Sequence, residues 1–157
     1  MSTCRAKRPD FACLVNKIPV LNSETKPLGV TPFQQSNDRL KVHLRARKAI
    51  NQLLEPKGGL AESAIFTNAG DLVESYIMDL KYDELYRSWA FLTTRLVRDK
   101  TTIPLLESNL RHFMALEERV NKMAENYKSK SASFTPPLET RYKRNLPDTP
   151  QMKMILQ

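Results

Sequence analysis

The placement of proline constrains this chain more than any other feature. Four of its ten prolines lie at or before Pro32 and four at or after Pro136, leaving only Pro56 and Pro104 in between. Proline fixes φ and has no amide donor, so it is tolerated in a helix only in the first turn. The long intervals around Pro56 and Pro104 are therefore free to form long elements, with breaks near those two residues. Four glycines in 157 residues argue against a turn-rich β fold. The expected fold class is all-α, with three main helices.

The first helix has a readable start. In Thr31-Pro32-Phe33-Gln34 a threonine precedes proline at the first helical position and glutamine at the third, the arrangement of a capping box. The helix is expected to run through Leu40, Leu44, Ile50, Leu53 and Leu54 and to stop before Pro56, with Lys57-Gly58-Gly59 as the break. A short helix over Leu60–Phe66 follows, and Asn68-Ala69-Gly70-Asp71 supplies a turn or a new start.

From about 71 to 98, apolar residues recur at Val73, Tyr76, Ile77, Leu80, Leu85, Trp89, Leu92 and Leu96, the last four at intervals of four, three and four. That spacing predicts a helix roughly 40 Å long at about 1.5 Å per residue. Asp99 to Thr102 breaks the stripe, with Thr102 as a cap before Ile103-Pro104. A last helix over about 103–128 carries Leu106, Leu110, Phe113, Val120 and Tyr127 on one side, with Met114 and Met123 beside them. The short connection implies a long antiparallel hairpin of 71–98 and 103–128. Leu85, Trp89, Leu92, Leu96, Leu106, Leu110, Phe113 and Val120 are the candidates for packing against a partner, because two helices alone leave half of each stripe wet.

The domain organisation expected is an extended or disordered basic arm over 1–31, a helical domain over 32–128 and an extended or disordered basic tail over 129–157. The apolar island Phe11 to Val15, with Ile18, Val20 and Leu21, docks either on a partner or on the chain's own helices. The net charge is +8. Residues 1–35 and 129–157 each carry five basic and two acidic side chains, against fifteen and thirteen between them, so the excess sits mainly in the ends. Such a surface attracts polyanions without naming one. Within the first helix Arg39, Lys41, Arg45, Arg47 and Lys48 form a cluster suited to nucleic-acid phosphates, which makes nucleic-acid binding the alternative function.

The inventory for catalysis is thin. The two histidines, His43 and His112, sit apart and beside neither a candidate nucleophile nor a metal ligand, and no glycine-rich phosphate loop is present. Asp79, Asp83, Glu84, Glu117 and Glu118 are mixed with Lys and Arg as on a charge-paired surface, and Tyr82, Tyr86 and Trp89 share a helix face better suited to core packing than to base stacking. No catalytic residue, metal ligand or cofactor is expected. No apolar run approaches the ~18 residues needed to span a bilayer and no secretory signal is seen. Cys4 and Cys13 form no disulfide framework, which fits an intracellular, reduced setting.

Lys143-Arg144-Asn145-Leu146-Pro147 resembles the Arg-x-Leu segments that dock cell-cycle substrates on cyclins, and Thr149-Pro150 resembles a proline-directed kinase site. Thr101-Thr102-Ile103-Pro104 is similar to the Ser/Thr-x-Ile-Pro segment read by microtubule end-binding proteins. The expectation is a non-enzymatic helical interaction or scaffold subunit of the kinetochore and spindle, of chromatin or of ciliary microtubules. Its expected partners are other helical subunits, a cyclin-kinase, acidic surfaces such as tubulin, or nucleic acid. Its expected location is the nucleus or the cytoskeleton, with no membrane attachment. If Leu146 docks on a cyclin, Leu146→Ala lowers the rate of Thr149 phosphorylation by a cyclin-kinase several-fold, read by phosphate incorporation. An unchanged rate removes the docking role.

Overall fold

Asn16 and Lys17 both adopt positive φ, 49° and 67°, the conformation of a two-residue type I′ turn. The turn folds strand β1 (Phe11–Val15) back onto strand β2 (Ile18–Lys26) as an antiparallel pair. In the computed structural model, which describes residues 9–54, 61–82 and 85–129, β2 also pairs on its other side with β3 (Glu62–Ala69), and this pairing is parallel. Parallel neighbours need a crossover, which helix α1 (Pro32–Leu54) provides. Strands β4 (Leu72–Tyr82) and β5 (Leu85–Arg95) then extend the sheet as an antiparallel meander, in the order β1-β2-β3-β4-β5. A short 3₁₀ turn (Lys100–Leu105) leads into helix α2 (Leu106–Ser129).

The two long helices that remain have local causes. Thr31 Oγ1 accepts the amide of Gln34 at 3.3 Å, and Gln34 Oε1 accepts the amide of Thr31 at 3.2 Å, so the capping box at the start of α1 is formed. Gly70 takes φ 68° in the tight β3–β4 turn and donates its amide to Lys26 O at 3.0 Å. A Cβ there would meet Leu28 Cδ2 at 3.0 Å, so the position suits glycine both in backbone and in space.

Register assigns the two faces of the sheet, because residues paired across strands point the same way. The row Asn22–Ile65–Tyr76 faces α1, which packs on β2, β3 and β4. The row Leu21–Ala64–Ile77 faces α2, which packs on β2, β3 and β5. Val42, Ala46, Ile50 and Leu53 on one side and Leu116, Val120 and Met123 on the other join Val20, Ile65, Ile77 and Leu80 in the core. The architecture is helix, mixed five-stranded sheet, helix.

This overturns the all-α expectation and, with it, the three-helix arrangement, the long helical hairpin and any coiled-coil packing. The span 71–98 is two strands of the sheet and the strand-free segment after them, 60–66 belongs largely to β3, and 11–26 lies inside the sheet rather than in an arm. The physical reason is visible in β4, where both faces are covered. Val73, Ser75, Ile77 and Asp79 are buried on one face and Met78 and Leu80 on the other, so apolar and polar residues do not alternate. In β5, Ser75 pairs with Leu92 while Tyr76 pairs with Ala90, which makes Phe91 an extra, bulged residue. The bulge puts Trp89 and Leu92 on the same face three residues apart, a helix-like spacing produced by a strand.

Ile77 is 1 % exposed in the middle of the sheet. Ile77→Ala removes buried methyl groups that neither helix can replace, and is expected to cost about 2–5 kcal/mol, read as a lower urea midpoint with an unchanged slope.

Candidate functional site

Helix α2 starts on a chain of local hydrogen bonds. The Asp99 carboxylate accepts the amides of Thr101 and Thr102 at 2.9 and 3.1 Å, and Thr102 Oγ1 accepts the amide of Asp99 at 3.0 Å. The hydroxyl and amide of Thr101, with help from Thr102, hold the Asp99 carboxyl below its usual range. The cap is thus Asp99, three residues before the expected Thr102, and Pro104 lies inside the 3₁₀ turn.

Two faces of α2 do different work. Asn109, His112, Leu116, Val120 and Met123 recur at intervals of three and four and are buried. Beside them, Ile103, Leu106, Leu110, Phe113 and Met114 are 54, 49, 54, 39 and 67 % exposed. Five large apolar side chains within three turns form a continuous stripe in water, not the scattered singles of an ordinary surface. The stripe ends at a groove of ≈ 390 Å³ between α2 and the β1–β2 edge, lined by Phe11, Cys13, Phe66, Phe113, Leu116 and Val120, with Glu117 and Asn121 at its rim. The Phe66 and Phe113 rings lie 6.1 Å apart at its floor, and burial pushes the Cys13 thiol up, away from the reactive thiolate.

Polar residues dock α2 on the sheet. Thr94 Oγ1 donates to Asn109 Oδ1 at 2.8 Å, Arg119 reaches Glu62 at 2.7 Å, and Ser75 Oγ lies 2.9 Å from His112 Nε2. A serine beside a histidine is the start of a nucleophilic pair, but Ser75 is 0 % and His112 2 % exposed, and the buried Nδ1 of His112 has no hydrogen-bond partner. A catalytic histidine needs its other nitrogen oriented and its nucleophile within reach of substrate. The pair fits a packing role. Among the described residues no group of three or more His, Cys, Asp or Glu is placed to hold a metal ion.

The sequence candidates separate in space. Leu106, Leu110 and Phe113 share the exposed stripe, whereas Val120 is 7 % exposed in the core. Leu85 and Trp89 are exposed on β5, Leu92 is half-buried beside them, and Leu96 follows the strand. Arg87 makes a bidentate pair with the buried Asp79 and lies 5.7 Å over the Trp89 ring, while Tyr86 turns to the opposite face and bonds Asn51. Tyr86 and Trp89 therefore do not share a face. Of the cationic cluster on α1, Arg39 pairs with Glu74, Lys41 with Asp38, and Arg45 with Glu24 at 2.8 Å; Arg47 is half-buried and Lys48 exposed. Arg144, Leu146, Thr149 and Pro150 lie outside the described residues, as do Cys4, Lys57-Gly58-Gly59, Asp83 and Glu84. Periodicity selected Val120 and missed the importance of Met114 and Ile103. The signal available was that two adjacent apolar strips on one helix are more than one sheet can cover.

Comparison with protein-family models, with curated proteins and with solved structures finds no match to this chain. Among the described residues no helix is long and apolar enough to cross a membrane.

Burial holds the His112 imidazole below its ordinary pKa, so the folded protein keeps it neutral where the unfolded chain takes up a proton. Stability is thus complete above the ordinary histidine value of about 6.5 and declines as pH falls below it. Urea unfolding at pH 7.5 and 5.5 is expected to show this loss, and the loss is expected to shrink in His112→Gln. An equal loss in both proteins removes His112 as its source.

Proposed function

We propose that the chain is a non-enzymatic interaction subunit of an intracellular protein assembly, docking through the exposed apolar flank of α2. The observation that carries this reading is the stripe Ile103, Leu106, Leu110, Phe113 and Met114, left in water although α2 already buries a full face against the sheet. An apolar strip rimmed by Glu107, Arg111 and Glu117 has the make-up of a recognition patch, with an apolar centre and a polar edge. The outer face of α1 is a weaker competitor, since Phe33 and Leu40 stand there seven residues apart.

The setting proposed is a nuclear or cytoskeletal assembly of the spindle, chromatin or ciliary microtubule type, whose acidic surfaces suit the basic ends of the chain. Proline-directed phosphorylation at Thr149-Pro150 would regulate the tail by placing close to two negative charges in a basic segment. Direct nucleic-acid binding has less support, because three of the five cations on α1 already face carboxylates.

Leu110→Glu with Met114→Glu places two charges in the stripe without touching the core. The expected result is loss of the proteins that co-purify stoichiometrically with the wild-type chain, while the thermal midpoint stays within about 2 °C, as for surface substitutions. Unchanged co-purification from a folded variant overturns the reading.

A further inference from the structure

The occupant of the α2 flank is written in the charges around it. Along the outward side of α2 the exposed residues Glu107, Arg111, Met114, Glu118, Asn121 and Glu125 recur at intervals of four and three, with Leu110, Glu117 and Lys122 exposed beside them. Measured from Met114, Arg111 stands three residues before and Glu117 and Glu118 three and four after; Glu107 stands seven before and Lys122 eight after. The pattern is close to antisymmetric: on either side of one apolar residue, opposite charges stand within one residue of matching distance, with the neutral Asn121 at seven after.

We infer that the flank binds a second copy of this chain, the two α2 helices running antiparallel about a two-fold axis near Met114. This rests on the docking role proposed for the flank. In that arrangement Met114 of the two copies meets on the axis with Leu110 beside it, while Phe113 stays turned toward Phe66 at the edge of the contact. Arg111 of each copy stands opposite Glu118 of the other, with Glu117 adding negative charge nearby, and Lys122 of each stands near Glu107 of the other, so the facing charges attract. A two-fold interface uses each contact twice, which a self-complementary face requires. Parallel helices would instead stack Glu107, Arg111 and Glu118 each on its own copy. Arg111 is ready for the contact, since Glu107 holds it at 2.7 Å one turn back with the pair largely in water.

The face is modest. A helix of 24 residues is about 36 Å long and ~10 Å wide, roughly 360 Å² per copy and half of the ~800 Å² of a standard interface. The dimer is accordingly reversible, and the charged pairs decide its register.

The test is sedimentation of the full chain from 5 to 500 µM in low and high salt, with two charge-reversed proteins, Arg111→Glu and the double change Glu117→Lys with Glu118→Lys. The expected result is a wild-type dimer at the upper concentrations that weakens with salt, two variants that are each monomeric, and dimer restored when the variants are mixed in equal amounts. The mixture regains attraction at both ends of the axis, whereas each variant alone meets its own charge. A wild type that remains monomeric throughout, or a mixture no more dimeric than its components, overturns the inference. In the first case, if Leu110→Glu with Met114→Glu still releases the co-purifying proteins, the proposed function stands with a different partner. If it releases nothing, both are overturned.

Discussion

The parallel pairing of β2 with β3 is the constraint on which the remaining architecture depends. Two parallel neighbours cannot be joined by a tight turn, so the chain must leave the sheet, cross one face and return, and α1 does this. Once α1 covers one face, the other face of the same strands still presents Leu21, Ala64, Phe66 and Ile77. α2 is needed to close it. The hairpin strands at either side then serve as borders, β1 short and paired with a β2 that carries the extra residue Val20, β5 long and bulged.

Closing the second face costs the protein several buried polar groups. Ser75, Asp79 and Thr94 on the sheet and Asn109 and His112 on α2 are all buried, and they are joined in pairs: Ser75 with His112, Thr94 with Asn109, Asp79 with Arg87. Each pair gives a partner to groups that would otherwise be stranded away from water, and the two that join sheet to helix, Ser75–His112 and Thr94–Asn109, fix where along the sheet α2 can sit. An apolar surface alone would tolerate sliding. Because these bonds set the position of α2, they also set which of its sides is left outward, and so the exposure of Leu110 and Met114 follows from polar contacts on the opposite side of the helix.

Both long helices were legible in the sequence because their ends carry local chemistry. Thr31-Pro32-Phe33-Gln34 and Pro56 bracket α1, and the break at Asp99 to Pro104 precedes α2. The strands were not legible, for reasons that differ along the chain. The β1–β2 turn uses Asn16-Lys17 in a conformation usually announced by glycine. In β4, cover on both faces and the polar residues Ser75 and Asp79 remove the alternation that marks a half-buried strand. In β5, the bulge at Phe91 shifts the phase by one residue and imitates a helical stripe. The exposed flank was half legible. Leu106, Leu110 and Phe113 stood out as candidates, but which of two adjacent apolar strips faces the sheet depends on Thr94 and Ser75, far away in the sequence.

The bulge at Phe91 has a second effect, on the solution behaviour of the protein. β5 is an eleven-residue border strand with two positive charges and no proline, the kind of border along which foreign strands stack into fibres. A regular ladder needs an unbroken rhythm of outward amides and carbonyls. The extra residue interrupts that rhythm after Ala90, so an incoming strand finds two short stretches out of step with each other. The same single residue that disguises the strand thus limits the length of any polymer seed, and keeps a border left unpaired among the described residues from becoming a template.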